Sequence, residues 1–491
     1  MGHQRSGKGD QMDLDTEGGQ GGSAPQTRQA MITVNNLNYL LEPDLSVAVN
    51  VTHKDHFFQS QTYTNNQRAI CILNSGADYI DTTRSFLNFT VALGGDGAES
   101  AYLGQSGSIL NLINRITVSS RSGDELTRIR KLNLLAATKQ PWLLDKQWHM
   151  TVGDLIAYGR STPSNGGWTV SIPLYLLSDF FGYGRLMPAM LMSGLRIEIE
   201  WEDPAIAFQC IETPVGELPI PIPVVTTGAD SGFFTNGFRE ILPDLTAKLN
   251  KVPSYEINNI FISAKSVQLT DSTQRALNEL SAVNGLEIVY CDWETTEMNE
   301  ETDRLHMEVR KASSRALKAL VRIRDGTAVA GNGDAVNPSY LNQNANSMAS
   351  EDWNVTQYQW QLGSLYFPQQ PVRTRTGLSA GCVAEAYCHA LDCFDKLQPN
   401  SRPPLVRMYA RAGTSHSGDL RDTQGFNTTE NIVGVTLERS SLFNLAGIPI
   451  NNSRVLSFQP RFGVSIRRNV TIFLKYVKLA RVFLNNVEVE Q

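Results

Sequence analysis

The chain has 491 residues, 41% of them hydrophobic and 19% charged, which exceeds one ordinary domain and suits two all-β domains of roughly 200–250 residues each. Its formal net charge of −6 is too small to hold a polyanion by bulk charge, and a free-standing nucleic-acid binder would be basic. Six scattered cysteines (Cys71, Cys210, Cys291, Cys382, Cys388, Cys393) do not make a disulfide framework, and no apolar run reaches the roughly 18–20 residues that span a bilayer, so a soluble protein with reduced thiols, cytosolic or nuclear at synthesis, is expected.

Residues 1–30 are rich in Gly, Gln and Ser, with Met12 and Leu14 as the large apolar side chains before the end of the segment. They cannot bury enough surface to offset the entropy of ordering, and read as a flexible arm. Its charges nearly cancel: Arg5, Lys8 and Arg28 stand against Asp10, Asp13, Asp15 and Glu17. That is not the composition of a genome-binding arm. From Met31 onward the pattern is strands and turns. Residues 85–91 are aromatic and β-branched and stop at Gly94-Gly95-Asp96-Gly97, a loop signal. Residues 111–119 alternate partly, and Arg121-Ser122-Gly123-Asp124 turns the chain towards a partner segment at 125–129. Leu195-Arg196-Ile197-Glu198-Ile199-Glu200-Trp201 has the cleanest period of two, placing Leu, Ile, Ile and Trp on one face and Arg and two Glu on the other. Such a strand belongs to an antiparallel sandwich with one wet face.

Residues 204–253 change texture. Pro219, Pro221 and Pro223 supply no ladder donors, so this is a long surface loop rather than a central strand. Strand character resumes at 255–269, and 271–282 reads as a short helix capped by Asp271 or Ser272. A second strand-rich block starts near Leu286, with strands expected at 305–309 and 317–323. The convincing amphipathic helix is 378–397, where Leu378, Cys382, Ala386, Ala390, Phe394 and Leu397 recur at helical steps. Residues 470–489 close the chain as strands split at Asn485-Asn486. The organisation expected is an arm at 1–30, a first β domain at 31–285 that includes the loop 204–253, and a second at 286–491.

Catalytic chemistry is hard to find. There is no Gly-x-x-x-x-Gly-Lys-Ser/Thr phosphate loop, and Gly413-Thr414-Ser415-His416-Ser417 lacks the last glycine of a nucleophile elbow. Cys382, Cys388-His389 and Cys393 share one predicted helix without paired ligand spacing and read as core thiols rather than zinc ligands. His53, Asp55 and His56 read as a polar loop, and Glu294, Glu297, Glu300 and Glu301 as a solvated turn. Arg461, Arg467, Arg468, Lys475, Lys478 and Arg481 run without an intervening acid. They read either as a solvated face, or as a mildly basic surface for packaged DNA or a neighbour's acidic loops. No catalytic, cofactor-binding or metal-binding residue is assigned, and no cofactor or small-molecule substrate is expected.

Several segments carry a resemblance. Residues 108–116 followed by Ser122-Gly123-Asp124-Glu125-Leu126 form a strand–turn–strand unit. Ile172-Pro173-Leu174, Leu177-Ser178-Asp179-Phe180-Phe181, Leu186-Met187-Pro188-Ala189-Met190 and 194–199 follow, then 358–371, Leu437-Glu438-Arg439-Ser440 and Phe473-Leu474-Lys475-Tyr476. In this order they resemble the major capsid proteins of the adenovirus-like double jelly-roll lineage of double-stranded DNA viruses, especially those of polinton-like viruses and virophages. The resemblance implies an all-β fold of two tandem eight-stranded jelly rolls with inserted loops and a few short helices. It implies no enzyme but a homotrimeric, pseudo-hexagonal capsomer of an icosahedral shell, located in the virion and assembled in the host cytoplasm or nucleus. Its partners would be further copies of itself, penton and minor or cement capsid proteins, with packaged DNA or an internal membrane left open on the inner face. A β-sandwich receptor- or glycan-binding module is the alternative. The resemblance transfers no catalytic residue; it gives Pro173 and Pro188 turn-setting roles and Gly194 a close backbone approach.

If residues 1–29 are an arm outside both cores, deleting them leaves the melting temperature of the purified protein unchanged. A drop of more than about 4 °C would show that the arm packs into the fold.

Overall fold

The computed structural model describes residues 48–95, 101–103, 108–143, 146–158, 167–210, 254–325, 355–374, 380–394, 432–438, 447–451, 454–483 and 486–490. The arm 1–30, residues 211–253 of the proline-rich loop, the 413–417 segment, and Leu378 and Leu397 of the predicted helix lie outside the described residues.

The first block holds β1 (Ala48–Phe57), β2 (Thr62–Thr64), β3 (Arg68–Ile72), β4 (Tyr79–Gly94), β5 (Ala101–Tyr102), β6 (Ile113–Ser119), β7 (Glu125–Arg130), β8 (Gly167–Pro173), β9 (Arg196–Trp201), β10 (Gln209–Cys210) and β11 (Ser254–Leu269). One sheet runs β1-β11-β4-β8, with β2 added on β11, and another runs β3-β9-β6-β7. Every pairing is antiparallel. Numbering these eight principal strands one to eight along the chain gives sheet orders 1-8-3-6 and 2-7-4-5. That interleaving, in which each sheet takes strands from both ends of the block, is the jelly roll.

The second block holds β12 (Leu286–Arg304), β13 (Met307–Val309), β14 (Ser313–Asp325), β15 (Val355–Leu362), β16 (Leu365–Arg373), β17 (Val433–Thr436), β18 (Ile448–Ile450), β19 (Leu456–Val482) and β20 (Val487–Glu490). Its strand order repeats the first. The C-terminal part of β19 lies between β12 and β14, with β17 beyond β14, while its N-terminal part pairs with β13 and β15, with β16 beyond β15. Counting the two parts of β19 as strands seven and eight recovers 1-8-3-6 and 2-7-4-5. The 27 residues of β19 therefore serve as two strands joined without a turn. This places all described strands of the second block in one nine-stranded sheet. Among the described residues no strand before Leu269 pairs with one after Leu286; the fold is a double jelly roll.

Alternation builds the cores. Ile197, Ile199 and Trp201 on β9 are fully buried, as the sequence predicts, and so are Leu87, Phe89 and Val91 on β4 to within 2%. Phe89 and Trp201 meet edge-on at 5.5 Å, clamping the two sheets of the first jelly roll with a large apolar contact. In the second, Trp360 of β15 lies 4.7 Å from Phe458 of β19, and Pro368 and Pro371 fall on β16, a sheet edge where a missing donor costs little. Pro173 and Pro188 stand at the starts of the short helices Leu174–Leu177 and Ala189–Met192. Gly194 has φ +97°, and a Cβ there would sit 3.0 Å from Arg121 Cγ, so its near neighbour is a side chain and not the backbone expected.

Other expectations change. Two helices that the sequence reading omitted, Leu132–Leu143 and Lys146–Leu155, follow β7. The first is buried from Leu132 to Thr138, so it shows no amphipathic stripe. The helix Asp271–Val283 is preceded by Thr270, not capped by Asp271 or Ser272. Ile109–Leu112 is a 3₁₀ turn closed by the Ser108 hydroxyl, and β6 starts only at Ile113. His53, Asp55 and His56 lie on β1, and Glu294, Glu297, Glu300 and Glu301 lie on β12, where strand pairing overrides their polarity. In the helix Ala380–Asp392 and the turn after it, Ala386, Ala390, Cys393 and Phe394 are buried, matching the described part of the predicted stripe.

Trp201→Ala should cost about 3–5 kcal/mol by leaving a cavity between the sheets, measured by equilibrium denaturation. Gly194→Ala should cost about 1–3 kcal/mol through backbone strain and contact with Arg121.

Candidate functional site

The chemistry-bearing side chains of this protein collect where the first jelly roll meets the second. β14 carries Lys318, Arg322 and Arg324 at even spacing, interleaved with the buried apolar Ala319, Val321 and Ile323, and all three cations are at most 5% exposed. Buried cations need partners. Lys318 Nζ donates to the Cys393 carbonyl at 2.7 Å, and Arg322 donates to Thr138 Oγ1 of the first block at 2.9 Å. Arg324 pairs with Glu297 at 3.0 Å and donates to Asn469 Oδ1 at 2.6 Å. Burial lowers the Arg324 pKa, while Glu297 and the first block's Glu202 oppose the shift.

Two carboxylates pin the rest of the seam. Asp292 on β12 is 1% exposed and faces Lys478 of β19, itself 2% exposed, at 2.7 Å. It accepts from Thr127 Oγ1 of β7 at 2.6 Å and from Tyr476 at 3.2 Å. Lys478 and the Tyr290 hydroxyl both donate to the Leu126 carbonyl, at 3.0 and 2.6 Å. Burial together with the Asp292 carboxylate pushes the Tyr290 and Tyr476 phenols above their usual range. Asp179 comes from the first block. It accepts from Lys139 at 3.2 Å and from Trp293 Nε1 at 3.1 Å, and pairs with Lys475 at 3.3 Å. Burial works to raise its pKa, but the two ammonium groups and the Lys139 and Trp293 hydrogen bonds outweigh it and hold the carboxyl well below the usual range. Neighbouring Ser178 donates to Thr127 at 3.3 Å, and Phe180 meets Tyr290 edge-on at 5.1 Å. One hydrophobic cluster runs through both blocks beneath these contacts. An open cleft of about 780 Å³ lies beside Asp179.

The basic run from Arg461 to Arg481 is resolved by this geometry. Lys475 and Lys478 are in the seam pairs just described, and Arg481 is paired with Glu287 and Glu490 at 3.1 and 2.9 Å. Arg468 is buried against the Phe462 ring and donates to the Thr302 carbonyl at 3.0 Å; burial lowers its pKa to about 10. Arg461 and Arg467 remain on the surface. Three of the six cations are paired with carboxylates and Arg468 is buried, while Arg461 and Arg467 are exposed, so the run is divided between internal contacts and a basic surface. No signal in the local sequence marks Lys318, Arg322 and Arg324 for the seam: β9 has the same alternation with its charged face open, and β14 differs because the first block covers it, as in the Arg322–Thr138 hydrogen bond.

The thiols and histidines do not converge. Among the described residues no group of three or more His, Cys, Asp or Glu is placed to hold a metal ion. Cys388 is exposed while Cys393 is buried, so they do not share a site. Cys71 is buried, and burial pushes its thiol up to about 12, which makes it a poor nucleophile.

No family model and no curated protein sequence matches the chain. Its fold is shared with viral capsid structures. Chains of the PBCV-1 virus capsid align with a TM-score of 0.53 at 8% identity, covering 90% of this chain and 96% of that chain. The Faustovirus major capsid protein aligns at 0.53 and 8% identity, covering 92% and 94%. A chain of the Sputnik virophage structure aligns at 0.50 and 9%, covering 91% and 89%. The class defined is therefore the double jelly-roll fold found in these capsids, and the likeness runs nearly end to end in both directions.

Asp292→Ala should cost about 3–5 kcal/mol, since Lys478 is left buried without its carboxylate. Asp179→Asn should give a different pH signature. Its folded pKa is depressed, so its contribution is complete above the ordinary carboxylate value of 3.8 and is lost as pH falls from there through the lower folded value. Denaturation of wild type and variant should differ by a constant amount at pH 5–7, and the difference should begin to shrink only below about pH 4.

Proposed function

We propose that the chain is the major capsid protein of a double-stranded DNA virus, with jelly rolls at 31–285 and 286–491. It would form a homotrimeric, pseudo-hexagonal capsomer, and these capsomers would tile an icosahedral shell. The observation that carries this reading is the repetition of one strand order in two jelly rolls joined by the Asp179–Lys475 ion pair and by hydrogen bonds to the buried Asp292–Lys478 pair, in the fold of the capsid structures above. A rigid pair of similar blocks is the unit from which three copies give six blocks around an axis, the outline needed for hexagonal tiling. The role is structural rather than enzymatic, and the place of work is the virion. The partners are further capsomers together with penton and minor capsid proteins, with DNA or a membrane on the inner side.

Exposed apolar side chains support a larger assembly. β1 lies at the end of its sheet and carries Val49, Val51 and Phe57 at 50–64% exposure, and the start of the edge strand β16 exposes Leu365 and Tyr366. Edge strands of this kind invite pairing or aggregation unless a neighbour covers them.

Light scattering at sub-micromolar concentration should report about three times the 54.3 kDa chain mass, and negative-stain images should show hexagonal blocks. Deleting residues 214–245 should give monomers or aggregates. A stable, well-folded monomer of the full chain across that concentration range would remove the capsomer reading and favour a β-sandwich binding module.

A further inference from the structure

The seam sets strand five of the first jelly roll, β7, against strand one of the second, β12. Thr127 donates to Asp292, Tyr290 to the Leu126 carbonyl, and Thr295 to the Arg130 carbonyl at 2.8 Å. The counterparts of these two strands are strand one of the first jelly roll, β1, and strand five of the second, β16. Each ends its sheet, and among the described residues the two do not pair with each other. Both lie open to solvent: β1 is exposed from Val49 to Asp55 and again at Phe57, and in β16 Val372 alone is buried. Five of the eleven exposed large apolar side chains among the described residues stand on them, Val49, Val51 and Phe57 on β1 and Leu365 and Tyr366 on β16. From Leu365 to Val372 there is no Asp, Glu, Lys or Arg, so β16 lacks the charges that commonly protect an edge. Pro368 and Pro371 remove two backbone donors from it, which disfavours a further ladder strand and leaves contact to side chains.

We propose that β16 of one copy docks against β1 of the next, so that the contact between copies repeats the junction within the chain in a different chemistry. This rests on the capsomer reading and names the surfaces that would join its copies. The strands hold 10 and 9 residues, roughly 30 Å each at about 3.3 Å per residue, so they match in length. The contact is heterologous, because each copy offers β1 to one neighbour and β16 to the other, and growth stops where the ring closes. Inside the chain the junction is pinned by hydrogen bonds to the closed Asp292–Lys478 pair. Between copies it would be made by apolar side chains that are open in the single chain and need no partner of opposite charge. Such surfaces can separate without stranding a buried charge, which suits a junction that forms after each chain has folded.

The test places a benzophenone analogue of phenylalanine at position 57, which is 62% exposed, in the full-length protein. This protein is assembled with heavy-isotope-labelled wild-type copies, irradiated, and mapped by peptide mass spectrometry. Cross-links between light and heavy copies should reach residues 365–373. Val51→Lys and Leu365→Lys alter exposed side chains, so both should keep the circular dichroism of the wild type. Each should raise the concentration at which the assembly dissociates at least about tenfold. Val283→Lys, at a position 77% exposed on the helix Asp271–Val283, should leave that concentration unchanged. Raising sodium chloride from about 0.1 to about 1 M should not weaken the assembly, since screening acts on charges and not on apolar contact. A trimer whose cross-links from position 57 reach other surfaces, β1 of another copy included, would overturn this pairing and leave the capsomer reading standing. Wild-type dissociation behaviour in Val51→Lys and Leu365→Lys would do the same, and dissociation by salt would overturn the apolar contact. A wild-type chain that stays monomeric at every concentration would remove both the pairing and the capsomer.

Discussion

The Asp292–Lys478 pair, closed to solvent and tied to the Leu126 carbonyl and the Thr127 hydroxyl, is the interaction on which the arrangement of the two jelly rolls depends. Its importance lies in specificity more than in net stability. A buried ion pair roughly breaks even against a well-packed apolar substitute, because desolvation consumes the Coulomb gain. Any displaced docking of β12 and β19 against β7 would leave the pair intact but take away its hydrogen bonds to Thr127 and Leu126, leaving buried polar groups unsatisfied. The apolar cluster that runs through both blocks could accept slipped arrangements; these hydrogen bonds cannot. Asp179 with Lys139 and Lys475, and Arg322 with Thr138, repeat the constraint at separate points. Several pins placed apart fix an orientation, where one would leave a pivot.

Much of the fold was legible because alternation is a direct imprint of a sheet with one wet face. The stretch from Leu195 to Trp201 shows it, and the structure buries each residue so assigned. Segments whose surroundings contradict the local pattern were not legible. The helix at Leu132–Leu143 is buried through most of its described length, so the polar stripe that would reveal it is missing. The acidic stretch at 294–301 looks like a turn by composition, yet its residues pair with β19 from Leu474 to Arg467. Tertiary pairing overrides weak local preference in strands more readily than in helices.

The seam was half legible. Residues 177–181 are one of the segments that carry the resemblance, and the structure gives a physical reason for that segment's chemistry. Ser178, Asp179 and Phe180 each touch a group of the seam: Thr127, then Lys139, Trp293 and Lys475, then Tyr290. Its partners could not be read from sequence, because Lys475 and Lys478 lie some three hundred residues away in a run whose cations look like a surface. A strand with charges on one face and apolar residues on the other reads the same whether the charged face is open, as in β9, or covered, as in β14, and only tertiary structure separates the two.

The two jelly rolls share a strand order without sharing recognisable sequence, and the positions of their excursions explain how. In the first block a long interval of sequence separates β10 from β11. In the second the corresponding strands are continuous in β19, and the long intervals fall between β14 and β15 and between β16 and β17. Intervals at the ends of strands leave register untouched, since register is set by which face is buried and not by what joins the strands. The sheets ask only for alternation and suitable volume, which many sequences satisfy. A joined β19 has one further consequence. It carries the strand neighbours of both sheets of its jelly roll, through Phe458 at one end and Tyr476 at the other. Displacement at the docked end, where Tyr476 and Lys478 hold Asp292, must therefore be transmitted along one hydrogen-bonded strand to the opposite sheet. The first jelly roll interrupts that path and the second does not, so of the two the second is the better suited to pass load from the seam to its far sheet.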